Sequence, residues 1–487
     1  MSEELPICSS YRSTSSRDPI WTRVAEDPND RRSVSRGDSP NLVSDESRSH
    51  VSINEVRDIP KGLNVLTAAV FIAGELAGSG VLALPRAVVD SGWIGLVLIV
   101  YLCVNAAYGG TRLGTCWAIL EERYPEYRTP VRNPYATIAF KAVGRWASLL
   151  VSASIQVTLF GAGTVYLLLA SQIIQQLLEN VLPKMGFCIW LLIIGALITP
   201  LTWLGTPKDF RLVGVGAVLT TGFACICIFA QILIDGLNSS TPVIHEVHGF
   251  TSFFLAFGTI LFSFGGASTF PTIQNDMIEK TKFTTSVTIG FSVILMLYLP
   301  VAAAGYYVYG EAVNPNIVLS LPKSILAVIA NILLAIHLVL AFLIIINPVC
   351  QELEEIANIP RYFNWKRCLV RTSMLCIMVF VGESVPKFGK ILSLVGGSTV
   401  TLLTFVLPPY FYMKLCDQEK NEEWPERGMH LRLRPANKTL NSLVDSIKFL
   451  FSAYTENMIK VFKIRPLISN MFRYNLLYHH QLAQTVK

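Results

Sequence analysis

A carboxylate and a Gly-Ser-Gly triplet interrupt an apolar stretch of membrane length near the start of the chain. Residues 63–85 read LNVLTAAVFIAGELAGSGVLALP, in which Glu75 precedes Gly78, Ser79 and Gly80. Glycine is a poor helix former and an ionised carboxylate is costly in lipid, so the sequence predicts an unwound segment facing a polar cavity. Unwinding frees N–H groups that can bind a carboxylate and carbonyl groups that can bind an ammonium or a cation. These two poles fit a zwitterionic amino acid.

A second apolar segment carries a similar interruption five spans later. Residues 262–271 read FSFGGASTFP and combine two glycines with small hydroxyl residues and Pro271. Interrupted hydrophobic segments at corresponding positions of two five-span halves indicate the binding site of a transporter. The alternative is close helix packing, because Gly74 and Gly78 also form the small-xxx-small pattern of membrane helix contacts.

The composition requires a bilayer around most of the chain. Its 487 residues are 52% hydrophobic and only 15% charged, with a net charge of +6 and a mean hydropathy of +0.47. Soluble domains usually carry about a quarter charged residues. An all-α, multi-pass membrane protein is therefore predicted. Its ten apolar segments centre on 63–85, 93–118, 147–178, 187–204, 211–235, 251–277, 284–309, 324–349, 367–384 and 390–415.

Three regions follow from this pattern. Residues 1–60 are rich in Ser, Arg, Asp and Pro, which predicts a disordered tail. Residues 61–415 form the predicted ten-span core. Residues 416–487 are predicted to be a polar and amphipathic segment at the surface, and no eleventh span is recognisable because charges interrupt every apolar stretch there: Lys448, Glu456, Lys460 and Lys463.

Two signals orient the spans in the same way. The long connectors 121–145 and 351–371 are basic, and basic connectors stay in the cytoplasm, which puts the amino terminus there as well. The connector 235–249 has no Lys or Arg and contains the sequon Asn238-Ser239-Ser240. Glycosylation of Asn238 requires that connector to be exterior or lumenal.

Three blocks of sequence resemble the amino acid/auxin permease family, the transmembrane family of amino acid transporters in the amino acid–polyamine–cation superfamily. They read AGSGVLALPRAVVDSGWIGLVLI (77–99), FSFGGASTFPTIQNDM (262–277) and GYYVYGEAVNPNIVLSLP (305–322). The resemblance covers about residues 60–415 and implies a LeuT-like fold with two inverted five-helix repeats, in which spans 1 and 6 are discontinuous. It also implies secondary active transport, with the substrate held by Ala77, Gly78, Ser79, Gly80, Phe264, Gly265, Gly266 and Ser268.

The eighth span bears on the coupling ion. LeuT-like sodium symporters commonly place hydroxyls there, whereas residues 325–348 contain no Ser or Thr, and a hard cation needs oxygen ligands. A proton is therefore predicted in place of sodium, with Glu75 and His337 as its candidate carriers, because ionisable residues inside the membrane are functional candidates by default. The structural alternatives are an ion pair of Glu75 with a neighbouring helix and a hydrogen bond of His337 inside the bundle.

Other functional classes fit less well. The seven histidines form no nucleophile–base set and no metal-ligand spacing, so neither an enzyme, a metal site nor a cofactor is predicted. The ten cysteines lack zinc-type spacing, and seven of them in or beside apolar runs are predicted to be buried thiols: Cys103, Cys116, Cys188, Cys225, Cys227, Cys350 and Cys376.

The prediction is a proton-coupled symporter of small neutral amino acids, whose partners are its substrate and the lipid bilayer, with no nucleic acid. A sodium-coupled symporter and an amino acid sensor built on a transporter fold are the alternatives. The plasma membrane and a lysosomal or vesicular membrane both fit, and the sequence does not fix the oligomeric state.

Overall fold

A computed structural model describes residues 62–129, 131, 133–203, 210–238, 243–246, 248–360 and 363–419. The predicted tail 1–60 and residues 420–487 of the predicted carboxyl-terminal segment lie outside the described residues. Within the described part the α-helices are α1 (Val65–Leu76), α2 (Ser79–Ser91), α3 (Ile94–Arg123), α4 (Pro134–Ala142), α5 (Arg145–Leu178), α6 (Phe187–Trp203), α7 (Phe210–Asn238), α8 (Phe250–Ser263), α9 (Phe270–Asn275), α10 (Phe283–Tyr309), α11 (Ile325–Ile356), α12 (Trp365–Ser384), α13 (Phe388–Val395) and α14 (Leu407–Glu419).

Six helical stretches of the described residues are long and apolar enough to cross a membrane. The pair α1 and α2 adds a seventh span, bent by 57° at its break. The apolar helices α6 and α8 are shorter, and α8 is followed by the six-residue α9 after a gap of non-helical chain. The last span is continuous, because a π-helical turn over Gly396–Val406 joins α13 to α14. The helices are thus discontinuous where the glycines predict it.

The two discontinuous spans lie at the centre of the bundle. Helix α1 packs against α10, and α2 packs against both α8 and α10. Around them, α11 contacts α5 and α7, and α13 contacts α8. Small residues permit these approaches. A Cβ atom on Gly80 of α2, for example, would lie only 2.8 Å from Ser263 of α8.

The ends of the two broken spans are also joined directly. The N–H of Leu63 donates to the carbonyl of Asp276 at 2.7 Å, and the N–H of Ile278 donates to the carbonyl of Leu63 at 3.0 Å. Gly62 fits beside this bridge because a Cβ there would lie 2.7 Å from the side chain of Ile278. The segment entering α1 is therefore hydrogen-bonded to the segment leaving α9.

A buried ion pair ties α11 to α12 and α6. Arg371 is 1% exposed and donates to Glu354 at 2.5 Å, to the carbonyl of Thr202 at 2.7 Å and to Asn347 at 3.1 Å. Arg367 also approaches Glu354, at 3.2 Å. A buried charge is tolerated when it is paired and hydrogen-bonded, and Arg371 has both an ionic partner and two further acceptors.

The cysteine prediction is correct for only part of its set. Cys103, Cys116, Cys225 and Cys350 are buried, and Cys227 is half-buried. The prediction is wrong for Cys188 and Cys376, which are exposed. They lie on α6 and α12, whose outer faces turn away from the bundle, so an apolar neighbourhood in sequence did not imply burial against protein.

Candidate functional site

The first break is a short extended segment held by one tyrosine. Helix α1 ends at Leu76, Ala77 and Gly78 are extended, and α2 begins at Ser79. The fully buried hydroxyl of Tyr298 on α10 donates to the carbonyl of Leu76 at 2.6 Å and accepts from the N–H of Gly78 at 3.4 Å. Tyr298 thus satisfies two backbone groups that unwinding would leave bare inside a membrane.

The amino-terminal end of α2 keeps free donors. The first N–H groups of a helix have no partner within that helix, and no side chain caps α2 at Gly78. The N–H groups of Ser79 and Gly80 therefore point into the break, where the positive end of the helix dipole also lies. The hydroxyl of Ser79 is buried and has no hydrogen-bond partner among the described residues.

The second break follows α8. Between Ser263 and Phe270 the chain makes tight turns, in which the N–H of Gly265 donates to the carbonyl of Phe262 at 2.9 Å and the N–H of Thr269 to that of Gly266 at 3.3 Å. Pro271 then lies in the first turn of α9, where its missing N–H costs nothing.

The two breaks touch each other. A Cβ atom on Gly266 would lie 3.0 Å from Cδ2 of Leu76 and 3.4 Å from Cγ of Glu75. A Cβ on Gly78 would lie 2.5 Å from the hydroxyl oxygen of Tyr166 on α5. Glycine at these positions lets a neighbouring side chain occupy the space next to the unwound backbone.

A cavity of about 40 Å³ lies at this junction. One buried water needs roughly 10–15 Å³, so the cavity has room for a few waters, and an amino acid would require the breaks to move apart. It is lined by both breaks and by α5, α11 and the π-helical segment: Glu75, Leu76, Gly78, Ser79, Gly80, Thr158, Leu159, Ala162, Tyr166, Phe262, Ser263, Gly265, Ser268, Ile345 and Val400.

Glu75 is the one charged residue among those lining the cavity. It makes no hydrogen bond or ion pair with the described residues, so the predicted structural alternative, an ion pair with a neighbouring helix, is not present there. The titratable group that faces it is the phenol of Tyr166. The cavity therefore combines one unpaired carboxylate with several hydroxyls and a helix amino terminus.

His337 lies behind the break on α11. It is 1% exposed, and its ring faces backbone groups of Ala77 and of Ala217 on α7. Neither ring nitrogen forms a hydrogen bond of ordinary geometry with the described residues. His337 is therefore next to the first break but is not among the residues that line the cavity.

The structure brings most of the predicted site residues to the cavity wall. Glu75, Gly78, Ser79, Gly80, Gly265 and Ser268 line it. Ala77, Gly266 and Phe264 are not among the lining residues, and Phe264 is fully buried with its ring 6.1 Å from that of Tyr298. Asn238 does not line the cavity and is the exposed last residue of α7. Their roles stay predictions.

Four polar residues at the cavity or the first break were missed by sequence reasoning. Thr158 and Tyr166 on α5, Ser263 at the end of α8 and Tyr298 on α10 all contact the cavity or the break. Ser263 lies two residues before Gly265 in the sequence, and this position could have identified it as a site residue. The other three lie in helices that have no distinct polar face, so the sequence does not show which of their residues point inward.

Residues 61–429 match the family described as "Transmembrane amino acid transporter protein". The chain belongs to this family. The match confirms the resemblance found in the sequence and agrees with the expectation of a protein that is not an enzyme. Transmembrane amino acid transporter proteins of Arabidopsis thaliana are among its relatives. The amino acid transporter AVT1B is 24% identical over 70% of this chain, and AVT1D is 27% identical over 70% of it. The aligned part spans 62% of the length of each of these two relatives.

The fold agrees with that of known transporters. The structure is similar to Mhp1, a nucleobase-cation-symport-1 family transporter, in a closed conformation with bromovinylhydantoin bound, with a TM-score of 0.52 and 14% identity. The similarity covers 84% of this chain and 92% of Mhp1. This likeness confirms the predicted LeuT-like, all-helical membrane fold.

Proposed function

We propose that this protein is a secondary active transporter that carries small neutral amino acids together with a proton. The observation that supports this proposal best is the cavity that both helix breaks line. It offers a group for each pole of a zwitterion and one further carboxylate that can hold a proton.

The substrate's carboxylate is assigned to the amino-terminal end of α2. There the N–H groups of Ser79 and Gly80 are free of intrahelical partners, and the hydroxyls of Ser79 and Tyr166 line the same space. The ammonium is assigned to the last carbonyls of α1, where the helix dipole is negative, and Glu75 is kept for the proton. Tyr298 already occupies the carbonyl of Leu76.

A compact side chain fits the rest of the wall. Ala162, Gly265 and Ser268 are small, and a Cβ on Gly265 would lie 2.6 Å from Val400. Phe262 and Ile345 close the remaining sides. Widening the cavity enough for a large side chain would require more of these contacts to break.

A proton is the proposed coupling ion. Glu75 is the proposed carrier at the substrate, and His337 is a second candidate because its unpaired ring faces the backbone of Ala77. A sodium ion would need several oxygen ligands, and α11 presents an imidazole in place of a hydroxyl at the break.

The proposed orientation places the amino terminus in the cytoplasm. Asn238 lies at the exposed end of α7, which is the end that the positive-inside rule puts outside the cytoplasm. Glycosylation of Asn238 and a location in the plasma membrane or a lysosomal or vesicular membrane are part of the same proposal.

Uptake into proteoliposomes tests the function. Radiolabelled alanine is offered under an imposed proton gradient and, separately, under an imposed sodium gradient. Uptake driven by external acid and indifferent to sodium is expected. Sodium-driven uptake would refute the coupling assignment, and saturable alanine binding without uptake under either gradient would favour a sensor.

A further inference from the structure

We infer that the cavity requires one positive charge beyond the zwitterion, supplied either by a proton or by the side chain of a short cationic amino acid. In the first case Glu75 is protonated and the substrate is neutral. In the second case Glu75 is ionised and pairs with the side-chain ammonium of the substrate. This inference rests on the proposed function and names a further class of substrate for the same site.

Among the residues that the structure describes, the environment of Glu75 contains no cation that could replace this charge. From α5 the facing titratable group is the phenol of Tyr166. From the second break Gly266 packs against its Cγ. The hydroxyl of Tyr298 from α10 is bonded to the carbonyl of Leu76, and His337 from α11 faces Ala77 on the other side of the break. No Lys or Arg lines the cavity.

The charges of a bound amino acid do not balance Glu75 by themselves. The carboxylate of the substrate is compensated by the amino-terminal end of α2, and its ammonium by the carbonyl end of α1. With both poles compensated, an ionised Glu75 leaves one uncompensated negative charge in the interior of the bundle. Burying such a charge is strongly unfavourable, so a second positive charge should enter with the substrate.

The geometry limits how far that charge can be from the α-carbon. Glu75 and Gly78 lie three residues apart on the same break, and Tyr166 sits directly against Gly78. Because Glu75 and Gly78 line the same cavity, a side chain of two or three methylene groups is the length that we assign to a substrate held beside Gly78 once the breaks have moved apart. 2,4-Diaminobutyrate and ornithine meet this requirement better than arginine, whose guanidinium is larger and planar.

Proton flux measured together with uptake tests the inference. Proteoliposomes containing a pH indicator are supplied with radiolabelled alanine or ornithine. Alanine is expected to carry about one proton inward per molecule, and ornithine is expected to enter without a proton. Ornithine should compete with alanine, and its advantage over alanine should increase at least tenfold as the external pH rises from acid to alkaline.

Two variants of Glu75 separate the effect of its charge from an effect on folding. Glu75→Gln should weaken ornithine competition at least tenfold and make alanine uptake independent of the proton gradient. Glu75→Asp keeps the charge and should keep ornithine competition. A wild-type melting temperature for both variants shows that they are folded.

The outcomes test this inference separately from the proposed transport of neutral amino acids. If alanine uptake is proton-driven but ornithine neither enters nor competes at any pH, the inference is wrong and the proposed transport stands. Ornithine entering with a proton would also overturn it. If alanine itself is not taken up, the proposed function fails first.

Discussion

Glu75 and Gly266 belong to different broken spans and lie in contact, with the Cγ of Glu75 3.4 Å from the position that a Cβ on Gly266 would occupy. The side chain of Glu75 in the first broken span thus packs beside Gly266 in the second break. The carboxylate and the glycine triplet of the first span therefore face one cavity at the centre of the bundle, whose wall contains both polar and apolar groups.

Replacing Glu75 by glutamine is expected to abolish the pH dependence of alanine uptake. In the wild type, uptake should rise as the external pH falls, because the cavity accepts a neutral amino acid only when Glu75 carries a proton. Glutamine is neutral at every pH, so the profile should become flat. Uptake measured between pH 5 and 8 is the readout, and Glu279→Gln, at an exposed carboxylate paired with Lys282, should keep the wild-type profile. If uptake by Glu75→Gln keeps the pH dependence of the wild type, Glu75 does not carry the coupling proton.

Replacing Tyr298 by phenylalanine should loosen the first break. The change leaves the buried carbonyl of Leu76 without its donor, which costs about 1–3 kcal/mol, and releases the N–H of Gly78. We expect a lower melting temperature together with a weaker affinity for alanine. Tyr307→Phe makes the same change at a side chain that is 78% exposed and should alter neither. Equal behaviour of the two variants would show that the hydroxyl of Tyr298 does not hold the break.

Removing Arg371 should destabilise the bundle without involving the cavity. Arg371→Ala leaves Glu354 buried without its closest partner, and breaking a buried pair in this way costs about 3–5 kcal/mol. A marked fall in thermal stability in detergent is expected. Lys323→Ala, which removes an exposed pair with Glu179, should cost about 0–1 kcal/mol. A small effect at Arg371 would mean that Arg367 alone can neutralise Glu354.

The breaks were predictable from the sequence because their cause is local. Glycine has a low helix propensity, and Gly78, Gly265 and Gly266 lie in the breaks, whereas Gly80 lies in the first turn of α2. The placement of the two glycine clusters five spans apart indicates a common cavity. The same reasoning identified Glu75, since a carboxylate in an apolar segment must meet a polar environment.

The partners of the breaks were not predictable because they depend on tertiary packing. Polar residues are spread around α5 and α10 instead of lying on one face, so the sequence does not reveal that Tyr166 faces Gly78 or that Tyr298 bonds to Leu76. His337 was a candidate from its position in a span, but only the packing of α11 shows that it lies behind Ala77.

Alanine binding to the purified protein tests the central claim, that the junction of the two breaks is the amino acid site. Isothermal titration calorimetry is carried out on the wild type, on Gly266→Val and on Gly222→Val, the last at a glycine with open space around it. The account predicts saturable binding to the wild type and to Gly222→Val, and no binding to a folded Gly266→Val, because its side chain would collide with Leu76 and Glu75. Equal binding by all three proteins would contradict it and place the site elsewhere.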